Sequence, residues 1–280
     1  MKQKAILGPA SSRSSMSPMK GFSDRSRYPN LTEKPKWLEL GEPLIGSILA
    51  IAKTTLEQSQ LADFDLAQIP VLSVYHFASS LDTSIDANQK GRHSVAISLT
   101  RHCIEALTLI DVGLQDEAFA LPLLDKWRDG KKNSGNLRQG LEKSIWPRYG
   151  TGLWDEPWGE FFGNLSRAVQ PYAHCSRELL EWQFAVLNHS CGEAKFTVAV
   201  GAYDPLKASR ITLLHVLVGW TLGRLLLENR SNPTVTAISR DICELGKALG
   251  SSKLLVKQKD WSLELLPNLL FKSGSDWRDK

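Results

Sequence analysis

The sequence has none of the short motifs that announce the commonest chemistries. It contains neither a GxxxxGK[ST] loop nor a GxGxxG run, so P-loop and dinucleotide-binding sites have no support. HExxH and GxSxG are also missing, which removes the usual signals of a zinc hydrolase and of an α/β-hydrolase nucleophile. The six histidines, His76, His93, His102, His174, His189 and His215, are scattered and never stand at i and i+4. Cysteine is scarce: Cys103, Cys175, Cys191 and Cys243 lie far apart with no CxxC pair, and read as free thiols of a reducing cytosol. A cytoplasmic protein without a metal or other cofactor is therefore expected. Cys175 beside His174 does not suggest thiol chemistry, because adjacent residues on a helix point about 100° apart.

Long apolar runs are lacking as well. The most apolar segment, Ile211 to Leu227, is interrupted by His215 and Arg224 and falls short of the roughly 20 uninterrupted residues a bilayer span needs. It reads as a core helix, and no membrane partner is expected. The amino terminus has no apolar run suited to secretion, and no repeat of solenoid period is visible.

What is present is an ordinary folding composition: 280 residues, 42% hydrophobic and 23% charged, with a net charge of +4 that permits nucleic acid without arguing for it. Residues 1–36 are rich in Ser, Pro, Lys and Arg, with Asp24 and Glu33 the only carboxylates, and read as a flexible basic tail. Residues 37–280 read as a single helical domain, with 204–280 a possible C-terminal subdomain.

The expected architecture is all-α, a multi-helix bundle around a central apolar helix, with a basic aromatic insertion between helices and at most one short strand or hairpin. Pro43 is placed to open a helix striped by Leu44, Ile45, Ile48, Leu49, Ala52 and Leu56. A second is expected after Pro70, with Val71, Val74, Tyr75, Ala78, Leu81 and Ile85 on one face and turn residues from Asp86 to Gly91. Ser94 can cap a third, VAISLTRHCIEALTLIDVGL, which is apolar around most of its circumference and should be central. Arg101 and Glu105 interrupt it four residues apart, so they can pair with each other or with a polar cluster across the bundle.

Helical signal resumes from Gln115 to Trp127. The chain then turns basic: Lys126, Arg128, Lys131, Lys132, Arg138, Lys143 and Arg148 outnumber Asp129 and Glu142, with Trp127, Trp146 and Tyr149 among them. Basic groups neutralise phosphates and aromatic faces stack on unpaired bases. Lys131, Lys132, Arg138, Arg148 and Trp146 are thus candidate nucleic-acid contacts; alternatively the tryptophans turn into the core of a solvated helix-loop-helix. Asp155 and Pro157 suit the first turn of the next helix, whose apolar side is Phe161, Phe162, Leu165 and Val169. Pro171 must kink or end it. Tyr172, Cys175, Leu179, Trp182 and Val186 then form a heptad-like seam, leaving His174 and Glu178 on another face. A strand or hairpin arm is possible between Cys191 and Tyr203; a long helix follows Pro205 and another runs from Thr236 to Leu249.

Arg167 and His174, in RAVQPYAH, are separated by six residues late in this bundle. That pattern resembles the Rx4-6H signature of HEPN nucleases, and also related bundle families of bacterial defence and mobile elements, where a tyrosine and a histidine open a late helix as Tyr172 and His174 do. The likeness covers about Ser94 to His189 and departs from the family at Ala168, usually polar, and at Pro171 inside the motif. It implies metal-independent RNA cleavage, with His174 acting on the ribose 2′-hydroxyl as base or on the leaving oxygen as acid, and Arg167 stabilising the phosphorane. A place in the first turn after Pro171 would keep His174 neutral. RNA is the implied partner, and a twofold homodimer would complete a shared groove. The other reading is a non-catalytic interaction or sensor module, in which Arg101, Glu105, Tyr172 and His174 form a buried polar network; Glu178 is a further binding candidate.

Overall fold

Ser84 and Ala96, Phe77 and Cys103, and Pro70 and Gly113 face each other in register, which makes helices α2 (Phe64–Gln89) and α3 (His93–Gly113) an antiparallel hairpin. The chain is described from a computed structural model that covers residues 35–58, 63–172, 179, 185–190, 193–197, 203–229 and 233–252. Among these residues it is an all-α bundle. Around the hairpin stand α1 (Lys36–Glu57), α4 (Glu117–Arg128), α5 (Ser134–Ser144), α6 (Trp158–Val169), α7 (Pro205–Glu228), the short α8 (Pro233–Ala237) and α9 (Ser239–Gly250). One two-stranded antiparallel ribbon, β1 (Ala185–Ser190) with β2 (Glu193–Thr197), lies between α6 and α7 in sequence.

The helix boundaries follow capping chemistry more closely than proline placement. Helix α2 begins six residues before Pro70 because the Asp63 side chain accepts from the N–H groups of Asp65 and Leu66. It ends in a Schellman turn: Gly91 takes φ 73, its N–H reaches Asn88 O, and the Arg92 N–H reaches Ala87 O at 2.8 Å. Helix α1 likewise begins at Lys36, so Pro43 lies inside it rather than opening it; Pro43 is exposed, where water can satisfy the carbonyl it leaves without a donor. Ser94 does not cap α3, which starts one residue earlier at the buried His93 with Arg92 at the cap.

The centre of the bundle is α3 packed on α7, and both are buried around most of their circumference. The expected core helix is α7: it is long and apolar enough to cross a membrane by composition, yet 83% of its most apolar window is buried inside the fold. It meets α1 through glycine. A Cβ at Gly219 would lie 2.6 Å from Ile45 Cγ1, so only glycine lets the two backbones approach this closely. Aromatic side chains Trp158, Phe161 and Phe162 of α6 fill the space between Trp146 and Trp220.

The basic stretch 126–148 takes the helix-loop-helix alternative: α4 ends at Arg128 and α5 is started by a reciprocal capping box between Asn133 and Asn136. Two further expectations are corrected. Asp155 adopts φ 65 in a tight loop closed by the Gly152 N–H on Glu156 O, so α6 begins only at Trp158. Val186 lies on β1, opposite Phe196 of β2, and not on a helical seam.

Candidate functional site

Helices α3, α5 and α6 leave a cleft of about 340 Å³ between them. Its floor is apolar, from the buried Ile104 and Val169. The polar lining comes from Arg101, Glu105 and Thr108 on α3, from Asn133, Ser134, Gly135 and Arg138 at the start of α5, and from Ser166 and Gln170 at the end of α6. Each group is there for a local reason. Arg101 and Glu105 stand one turn apart on α3, and Arg101 Nε donates to Glu105 Oε1 at 2.9 Å. Ser134 and Arg138 share one face of α5 by the same spacing.

The first turn of α5 faces the cleft with donors to spare. Asn133 Oδ1 takes the Asn136 N–H and Asn133 O takes the Leu137 N–H. The N–H groups of Ser134 and Gly135 precede any intrahelical acceptor, as in the first turn of every α-helix. Arg138 crosses to α6 and donates from Nη1 to Ser166 Oγ. Burial is the main cause holding its guanidinium below the ordinary arginine range; Glu142 opposes that shift and the neighbouring Arg167 adds to it. Two like-charged guanidinium groups near each other, one half-buried, create a positive field at the α5–α6 edge of the cleft.

The other expected site residues divide clearly. Arg101, Glu105 and Arg138 are brought together in the cleft lining. Arg167 is exposed beside it, its Nη2 donating to Asn164 Oδ1 along its own helix. Helix α6 ends at Val169, and Gln170–Tyr172 form a 3-10 turn, so Pro171 terminates the helix instead of kinking it. Tyr172 is buried outside the lining, its carbonyl held by Ser98 Oγ at 2.9 Å. His174 and Glu178 lie outside the described residues. Lys131 is exposed and pairs with Asp129 at 2.7 Å, Lys132 is half-buried next to Asn133, and Arg148 is exposed away from the lining.

Trp146 takes the core alternative and not the nucleic-acid one. It is buried and its indole N–H donates to Asp111 Oδ2 at 2.7 Å, so its ring is not available for base stacking. Asp111 is the residue that sequence reasoning passes over, hidden in the apolar run LTLIDVGL. Tyr149 Oη and Gln115 Nε2 also donate to it, at 2.6 and 2.9 Å. Burial pushes its carboxyl up to about 6, against the three donors, which favour the anion. Two more buried networks join α2, α3 and α7. His93 Nδ1 meets Asn88 Oδ1 at 2.9 Å while Nε2 accepts the Asp204 N–H at 3.0 Å. His215 Nε2 meets Ser84 Oγ at 2.7 Å, and Ser84 Oγ also reaches Ala96 O at 2.6 Å. The Arg101–Glu105 pair, expected in a buried network with Tyr172 and His174, is part-exposed at the cleft, with side chains 23% and 44% accessible.

Among the described residues no group of three or more His, Cys, Asp or Glu is placed to hold a metal ion. Sequence reasoning also missed Ser134, Ser166 and Gln170; the NSGN capping box was the one legible signal for the first of these. Comparison with protein-family models, with curated protein sequences and with solved structures gave no match for this chain.

Proposed function

We propose that this protein is a HEPN-like RNA-binding effector that takes the phosphodiester backbone of RNA at the α3–α5–α6 cleft and cuts it without a metal. The observation that carries the reading is the convergence of Arg101 and Arg138 from two helices on one cleft, with Arg167 beside Arg138. Guanidinium forks match phosphate oxygens, and the Ser134 hydroxyl and the free N–H groups of the first α5 turn add donors of the same polarity. Cleavage follows the family resemblance: His174 takes the 2′-hydroxyl proton, O2′ attacks phosphorus, the bond to O5′ breaks, and the departing O5′ takes a proton from water. The products are a 2′,3′-cyclic phosphate and a 5′-hydroxyl, with Arg167 offsetting the charge that develops on the phosphorane.

The test is incubation of full-length protein with labelled single-stranded RNA in EDTA. Cleavage that His174→Ala and Arg167→Ala each abolish supports the proposal; intact RNA with the parent protein, or unchanged cutting by both variants, contradicts it. The second reading is a non-catalytic interaction or sensor module, favoured by the closed Asp111, Trp146, Tyr149 and Gln115 network, which stiffens the bundle without serving the cleft. That module would leave RNA uncut.

A further inference from the structure

We infer that the cleft reads a guanine base of single-stranded RNA through Glu105, an inference that rests on the RNA reading of the same cleft. Its size limits the ligand. About 340 Å³ lies at the lower end of ligand-pocket volumes of about 300–1,000 Å³, enough for one unstacked nucleotide and far too little for a duplex. RNA recognition of this kind works on splayed bases, whose Watson–Crick edges become available to side chains.

The lining has the polarity one nucleotide requires. Ile104 and Val169 offer an apolar floor for a base or ribose, and Arg101 offers a planar guanidinium on which a base can stack. Arg138 and Ser134 supply phosphate donors. Glu105 is the exception, the single carboxylate in a lining otherwise suited to anions. A plain phosphate site gains nothing from it, because a carboxylate repels phosphate. Its Oε1 accepts from Arg101 Nε at 2.9 Å, and among the described residues Oε2 accepts from no other group.

A carboxylate held in this way takes two adjacent N–H donors from a ligand. Guanine presents such a pair, N1–H beside the N2 amino group. Uracil presents one N–H between two carbonyl oxygens that a carboxylate repels, while adenine and cytosine set a single amino group beside an acceptor nitrogen. The chemistry therefore favours guanine over the other three, and the Arg101–Glu105 pair positions the reader. Arg101 holds Glu105 from one side and keeps its own Nη groups for the base or phosphate.

The experiment measures binding of full-length His174→Ala protein, which removes cleavage, to fluorescent ten-nucleotide oligouridines carrying one central G, A, C or U. The expected result is roughly tenfold or greater preference for the G oligonucleotide, the scale of hydrogen bonds to a charged acceptor. GMP should also compete better than AMP, CMP or UMP. Glu105→Gln should lose that preference to within about twofold while still binding RNA, since the substitution keeps shape and removes a negative charge. Equal binding of all four oligonucleotides, lost in Arg138→Ala, would overturn the guanine assignment and leave the RNA reading intact. A preference that survives Glu105→Gln would equally overturn it. Failure to bind any oligonucleotide would overturn the RNA reading and this inference with it.

Discussion

The indole N–H of Trp146 donates to the buried carboxylate of Asp111 across 2.7 Å, tying the start of the 146–158 connection to the end of the central helix α3. Tyr149 and Gln115 complete the site. Asp111→Ala would leave the Trp146 indole and the Tyr149 hydroxyl without this acceptor, while Gln115 Nε2 keeps the backbone carbonyl of residue 111, and each unsatisfied buried donor costs about 1–3 kcal/mol. A loss of about 3 kcal/mol or more in urea unfolding is expected; a loss below about 1 kcal/mol would mean that the network contributes little.

Stability should depend on pH through three buried groups. Burial lowers His93 to about 4 and His215 to about 3, from an ordinary 6.5. Between about pH 4 and 6 each binds a proton in the unfolded chain and not in the native one, so stability rises with pH. Burial raises Asp111 to about 6, so it binds a proton in the native state and not in the unfolded one, and its contribution falls with rising pH. The two histidines outweigh the aspartate, so the net slope in that window is positive, reduced by Glu156, which burial also raises. Urea midpoints across pH 4–6 check it: His215→Asn should flatten the slope, and Asp111→Asn should steepen it.

Glycines at two positions should respond in opposite directions to alanine. A Cβ at Gly113 would overlap the ring of Pro70, which has no rotamer to yield, whereas a Cβ at Gly46 meets nothing within 4 Å. Gly113→Ala is expected to destabilise by about 1–3 kcal/mol. Gly46→Ala, on the exposed side of α1, should stabilise by about 0.5–1 kcal/mol. A Gly113→Ala melting temperature at or above the parent's would contradict the close α2–α3 approach, and a lowered one for Gly46→Ala would contradict the open space at that position.

Much of the fold is legible in the apolar stripes. The repeats over Leu44–Leu56, Val71–Ile85 and Ile211–Leu225 identify α1, α2 and α7, and the all-round apolar character of α3 places it at the centre. Helix starts are less legible, because Pro43 and Pro70 look like openers until Asp63 and the tolerance of an exposed proline are taken into account. Helix α5 is polar and short, and only its asparagine box marks it. The site is half legible. Arg101, Glu105 and Arg138 stand out as charges on otherwise apolar or basic stretches, and they do converge. Trp146 shows the limit: an aromatic among basic residues suits both base stacking and core packing until its partner is known. That partner, Asp111, lies 35 residues earlier.

The most direct measurement is the affinity of full-length His174→Ala protein for a single-stranded RNA at several salt concentrations, alone and with Arg101→Gln, Arg138→Gln or Lys131→Gln added. Binding should weaken with salt. Loss of one phosphate contact should lower the slope of log K against log salt by about 0.7, for the Arg101 and Arg138 variants and not for the exposed Lys131. RNA bound equally well by all four proteins, or not bound by the first, would contradict the placement of the site in the α3–α5–α6 cleft.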